Sequence, residues 1–364
     1  FFNVSELKDV LRVLSIVFII RGISVVAESI TIKNMYFKPL ALRNLLSYII
    51  AHLFVGIPAA YYGLGVWSLV LIVLSNELLR TIFILNMVSH SKSILAFKMQ
   101  GLREILRFGG GLTLSSIFNK IATNGDTLVI GKFVGVNIVG LYSRAYKIIK
   151  LPANLFGNVI STTIFPALSS IQDENKKIQN IHYNLVSIIA TFFLPISVFV
   201  SLRSELIVNI LLGHTWFGVI PIMEILAMGL YFRIGYKVNG EIVKAKGLVF
   251  NLALIEFVYA TFIICGCYFG HFYGTTGISY GILIALFVHF LNMNYIGIKA
   301  SKIKLQKIVN AHFYGFLISL ILLLVYRFLD KSILYQEYSV LIKFLISLFL
   351  LITTFIVTIF LFRK

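Results

Sequence analysis

The chain has 364 residues, of which 59% are hydrophobic and 13% charged. Soluble domains carry about 25% charged residues, so a soluble globule is excluded, and two cysteines, Cys265 and Cys267, exclude a disulfide scaffold. Thirty-two Lys and Arg against fourteen Asp and Glu give a net charge of +18, a balance that raises nucleic acid as a partner until the charges are placed along the chain.

Apolar runs long enough to cross a bilayer, about 17–25 residues, are expected at 10–30, 45–62, 66–88, 109–131, 138–166, 184–203, 218–236, 248–269, 276–297, 309–328 and 339–361. The runs are continuous and not alternating, which argues against a transmembrane barrel. The expected fold class is an all-α polytopic membrane bundle of about eleven transmembrane helices. On the first span Arg21 and Glu28 stand two turns apart on one face. On the third, Glu77 and Arg80 at i, i+3 predict a local ion pair. The longest basic connection, 89–108, spaces Ile94, Leu95, Met99, Leu102, Ile105 and Leu106 as one apolar face. An amphipathic helix lying on the membrane surface is expected there. Gly109, Gly110 and Gly111 follow, either as a hinge or for close helix packing.

Ionisable groups within a membrane are costly, and each is a functional candidate. The fourth span carries Lys120 and Asp126, and the fifth carries Arg144, Lys147 and Lys150. The last three, at i, i+3 and i+6, occupy about one third of a helix circumference. Lys150 lies about 18 Å into its span at 1.5 Å per residue, too deep for easy snorkelling. Pro152 is expected to kink the helix. Lys120, Arg144, Lys147 and Lys150 are the candidate substrate-binding residues, facing an aqueous cavity or else pairing with buried acids. Asp126, Glu224 and Glu256 are candidate ion-coupling carboxylates, with a structural cap as the alternative for Asp126. His52, His289 and His312 lie in separate spans and read as packing residues. No metal site and no cofactor is expected. Gly125 and Gly131-Lys132 approach a phosphate loop, but the spacing is one residue too long and the hydroxyl residue is missing. No ATPase domain is expected.

The charges segregate by loop. One alternate set of loops, which takes in a connection carrying Lys237, Glu241, Lys244 and Lys246 and ends with the C-terminal Arg363 and Lys364, sums to +14; the opposite set sums to zero; the spans hold +4. This positive-inside pattern predicts a cytoplasmic C-terminus. Eleven spans then place Phe1 outside. Basic residues scattered over short loops form no single basic face, which removes nucleic acid as the expected partner.

Residues 108–175 carry a familiar series: Phe108-Gly-Gly-Gly, Asn124-Gly125-Asp126-Thr-Leu-Val-Ile-Gly131, Gly135, Gly140-Leu-Tyr142-Ser-Arg-Ala-Tyr146-Lys147, Pro152 and Phe165-Pro166-Ala-Leu-Ser-Ser-Ile-Gln172-Asp173. Upstream stand Leu11-Arg-Val-Leu-Ser15 and Gly63-Leu-Gly65-Val-Trp67, and downstream Leu212-Gly213-His-Thr-Trp216. In this order, over roughly 8–297, the chain resembles the polysaccharide transporters of the MOP flippase superfamily. These are the Wzx-type exporters, and the branch is that of the colanic-acid and teichuronic-acid exporters. The resemblance implies two six-helix lobes around a cavity that alternates between membrane faces, with three spans expected before Phe1. It divides the chain into a partial N-lobe (1–88), a cytoplasmic amphipathic linker (89–108), a C-lobe (109–297) and two additional C-terminal helices (298–364). It implies a bacterial inner-membrane flippase for a polyprenyl-pyrophosphate-linked oligosaccharide, working beside polysaccharide polymerase and export machinery, within a lipid surround and as a monomer. A membrane polymerase or transferase of the same pathway is the alternative, although such an enzyme normally shows a long outer loop. A drug antiporter of the same superfamily would favour an acidic cavity, against the in-span excess of cations.

Overall fold

A computed structural model describes residues 5–87 and 99–361. The described residues are helical throughout apart from short turns, with no strand among them. Among the described residues, nine helical stretches are long and apolar enough to cross a membrane, and the longest, Val249–Ser301, is two helices joined by a tight turn. The chain is an all-α polytopic membrane protein. Its helices pack into two compact units, 1–97 and 98–364.

The first unit contains α1 (Ser5–Leu14), α2 (Ile16–Lys33), α3 (Phe37–Ile50), α4 (Ile57–Tyr61) and α5 (Val66–Met87), with a π turn at Ala51–Gly56 joining α3 to α4. Arg21 Nη2 on α2 lies 2.7 Å from Glu77 Oε1 on α5, and Arg80 Nη1 lies 3.1 Å from the same oxygen. The expected Glu77–Arg80 pair is therefore present and has a third member. Glu28 pairs instead with Arg43 of α3, which grips both carboxylate oxygens at 3.1 and 3.2 Å.

The second unit begins with α6 (Met99–Phe133), an unbroken 35-residue helix. The 89–98 part of the expected surface helix lies outside the described residues, whereas 99–108 is the first three turns of α6. The three glycines are helical too. A Cβ on Gly111 would fall 2.5 Å from Val249 Cγ2, so close packing is the use of that glycine. The Gly125–Lys132 stretch is also helix, and no phosphate loop forms there. Then come α7 (Val136–Val159), α8 (Phe165–Ser170), α9 (Asn175–Leu202), α10 (Ser204–Leu211), α11 (Ile220–Met228), α12 (Leu230–Ala245), α13 (Val249–Gly270) and α14 (Gly274–Ser301). The chain ends with α15 (Leu305–Ala311), α16 (Phe313–Lys331), α17 (Ile333–Glu337) and α18 (Val340–Leu361). α13 packs along both α6 and α14. Its hairpin with α14 is closed by two facing small-residue motifs, Gly266-x-x-x-Gly270 and Gly277-x-x-x-Gly281. A Cβ on Gly281 would come within 2.3 Å of the Gly266 carbonyl oxygen. Backbones can approach this closely only where both helices are bare. α16 lies on α9, and Arg203, at the end of α9, binds Asp330 of α16 at 2.7 Å.

Candidate functional site

The sequence of α7 decides which of its sides faces outward. Tyr142, Ala145, Tyr146, Ile149 and Ala153 recur at helical spacing and are buried. Lys147 and Arg144 are left exposed and Lys150 half-buried. The helix continues through Pro152 to Val159 before a π turn at Ile160–Ile164. Lys147 and Lys150 open on one groove of about 390 Å³ with Thr127, Ser143, Asn154 and Asn158. Among the described residues no acid lines it. Lys150 Nζ donates to the Thr123 carbonyl of α6 at 2.8 Å and lies 3.8 Å from the Tyr146 ring centroid. Both contacts stabilise the cation and neither cancels its charge.

Arg144 does not join this groove; its guanidinium lies 5.6 Å from the Trp216 ring. Lys120 lies elsewhere too, in a second cavity of about 540 Å³ shared with Lys237, Glu241, Lys244 and Glu256. The four expected binding residues thus divide two, one and one. Ser115, Ser116, Asn119 and Ser161 add hydroxyl and amide groups to the second cavity. Lys244 and Glu241 form an ion pair at 2.8 Å, and Ser161 Oγ donates to Glu241 at 2.8 Å.

The three carboxylates have different surroundings. Asp126 is fully buried and accepts from Tyr142 Oη at 2.6 Å and from Thr127 N at 2.6 Å. Glu224 is exposed, accepts from Ser204 Oγ at 3.2 Å and lines neither cavity. Glu256 is buried on the wall of the second cavity, where Asn119 Nδ2 donates to it at 2.9 Å. His289 Nε2 approaches Glu256 at 3.8 Å, and its ring stacks on Tyr259 at 4.0 Å.

Sequence reading ended the span at 236 and missed the rest of α12. Lys237, Glu241 and Lys244 were expected in a connecting loop, yet the helix continues to Ala245 and places them on the cavity wall. Arg233 belongs to the same face. It is 5% exposed, its Nη2 donates to Tyr146 Oη at 2.8 Å, and its guanidinium lies 4.8 Å from that ring. Lys237 Nζ donates to the Ala153 carbonyl at 2.9 Å and fills the space a Cβ on Gly157 would need. The signal was available: 233, 237, 241 and 244 are spaced four, four and three, which is one helical face.

A family model described as polysaccharide biosynthesis protein matches residues 1–221. The chain is 25% identical over 275 residues to the lipopolysaccharide biosynthesis protein WzxC of Escherichia coli (strain K12), covering 74% of this chain and 50% of that protein. It is 24% identical over 260 residues to the teichuronic acid biosynthesis protein TuaB of Bacillus subtilis (strain 168), covering 68% of this chain and 51% of that one. The chain thus spans about half the length of these relatives. Among solved structures, the lipid II flippase MurJ in its inward closed conformation matches 98% of this chain and 74% of its own, with a TM-score of 0.63 and 17% identity. That likeness concerns the fold.

Proposed function

The chain belongs to the polysaccharide biosynthesis protein family, and from that premise we propose that it is a flippase for a polyprenyl-pyrophosphate-linked oligosaccharide in the bacterial inner membrane. The carrying observation is the groove with Lys147 and Lys150 on its wall and no acid among its described lining residues. A pyrophosphate leaving water for a membrane interior loses its hydration. The exposed Lys147 ammonium, and that of Lys150, held by a neutral carbonyl and a ring face, replace part of it. The lipid tail stays in the bilayer, and the headgroup passes by alternating access along the polar walls of the second unit. Lys120 and the hydroxyl-bearing side chains of the second cavity suit sugar hydroxyls. Glu256 is our choice for the coupling carboxylate, because it alone of the three candidates stands on a cavity wall. The process is transport and includes no bond-making step. The loop charges support a cytoplasmic C-terminus, which accessibility labelling at the C-terminus tests.

The decisive experiment uses the full chain in proteoliposomes with a polyprenyl-pyrophosphate-linked oligosaccharide. Lys147→Gln/Lys150→Gln should lower translocation by about a hundredfold while the protein melts as the parent does. Unchanged translocation by the folded variant would falsify the assignment.

A further inference from the structure

A third cavity, of about 630 Å³, is lined by residues of neither site described above. It opens beside the α12–α13 turn, the start of α9 and the last turns of α14. Its polar lining includes Asp173, Asn175, Lys246, Tyr295, Lys299 and Lys302. We propose that it binds the phosphate of an anionic phospholipid, with the acyl chains lying along α14.

Three lysines from two different segments face one aspartate. Lys246 is held in place by donating to the Gln172 carbonyl at 2.5 Å and to Asn175 Oδ1 at 3.0 Å. Both acceptors are neutral, so its charge is aimed and not cancelled. Lys299 and Lys302 are exposed and have no acidic partner within ion-pair distance among the described residues.

Lys302 closes α14 with φ +57°. Glycine adopts that left-handed cap most easily, because it has no Cβ to clash with the backbone. The Gln179 amide donates to the Lys302 carbonyl at 3.0 Å and pins the turn. Lys302 thus presents an ammonium group from a position whose backbone glycine adopts more easily. The helix dipole favours Lys299 in the last turn, but it accounts neither for the left-handed lysine nor for Lys246 arriving from another helix.

The order of side chains along α14 distinguishes a lipid from a soluble phosphate. Ile284, Phe287 and Leu291 are exposed on one stripe, Tyr295 follows at 69% exposure, and the lysines come last. From Leu291 to Lys302 is about 16 Å along the axis. Apolar, aromatic, then cationic is the sequence met on passing from acyl chain through the interface to a phosphate.

Native mass spectrometry of the full chain, titrated with phosphatidylglycerol and phosphatidylcholine, tests the site. The parent should prefer phosphatidylglycerol by about tenfold, consistent with lysines near an anionic surface. Lys299→Gln/Lys302→Gly should remove the preference. Lys299→Gln alone, at an exposed position, should reduce it about threefold. Lys302→Gly alone should melt no lower than the parent in neutral detergent, since it relieves the cap. Lys331→Gln, exposed and outside all three cavities, should leave the preference intact. Equal binding of the two lipids by the parent overturns the proposal. So does a folded double variant that keeps the preference. Displacement of phosphatidylglycerol by millimolar inorganic pyrophosphate would assign the cavity to a soluble anion instead and overturn the lipid.

Discussion

The arginines of the first unit and the cations of α7 in the second are held in opposite ways. In the first, every arginine among the described residues meets a carboxylate: Arg12 with Asp9, Arg21 and Arg80 with Glu77, and Arg43 with Glu28. In the second, the cations of α7 and the upper part of α12 meet neutral groups. Lys150 has the Thr123 carbonyl and the Tyr146 ring, Lys237 the Ala153 carbonyl, Arg233 the Tyr146 hydroxyl, and Arg144 the Trp216 ring. A cation paired with an acid holds helices together but presents little net charge. One held by carbonyls and ring faces is positioned and still charged, so an anion can use it. The second unit is not uniform in this respect, since Lys177, Lys244 and Arg203 do pair with acids.

This contrast can be broken experimentally. The largest effect is expected in the groove. Lys147→Gln/Lys150→Gln removes two charge-assisted contacts of about 1.5–3 kcal/mol each, so translocation should fall by about a hundredfold in a reconstituted assay. Thermal stability should stay within about 1 kcal/mol. A large fall in melting temperature would instead make these lysines structural, as the arginines of the first unit are. The second largest effect falls on stability. Glu28→Leu leaves Arg43, which is 1% exposed, without its carboxylate. Losing one partner of a buried pair costs about 3–5 kcal/mol, and the part-exposed glutamate argues for the lower end, read as a lower melting temperature. A smaller effect is expected for Arg233→Met. Replacing a buried charge with an apolar chain of similar length is often near neutral, so the melt should shift by about 1 kcal/mol or less, while translocation falls. A strongly destabilised variant would show that neutral partners bind Arg233 as firmly as acids bind Arg43. The smallest effect is expected at exposed Lys120. Lys120→Gln should change stability by no more than about 0.5 kcal/mol and translocation by less than about threefold, because the mixed charges of its cavity leave other contacts.

Much of this was legible in the residues. The continuous apolar runs required helices, and the i, i+3 spacing of Glu77 and Arg80 required their pair. The Lys147–Lys150 spacing put both ammonium groups on one side of α7. Other assignments failed for identifiable reasons. Arg144, only three residues before Lys147, swings to Trp216 because a third of a helix circumference is wide enough to border two different surfaces. Lys237, Glu241 and Lys244 were placed in a loop because charge density marks a span's end in sequence, whereas in the fold a polar cavity lets a helix continue through them. The facing glycine motifs of α13 and α14 were visible as spacings, but only the hairpin brings each opposite the other.

The sequence by itself determined the solvent, the helices and the family. Those follow from composition, from runs longer than a bilayer is thick, and from motifs in a fixed order. The partner of each charge was decided by the tertiary structure alone. Arg43 and Lys150 are equally cationic along the chain. One finds a carboxylate fifteen residues away and the other a carbonyl twenty-seven residues away, because helix packing sets which oxygen comes within hydrogen-bonding distance. That choice separates a charge that holds the protein together from one left for a ligand.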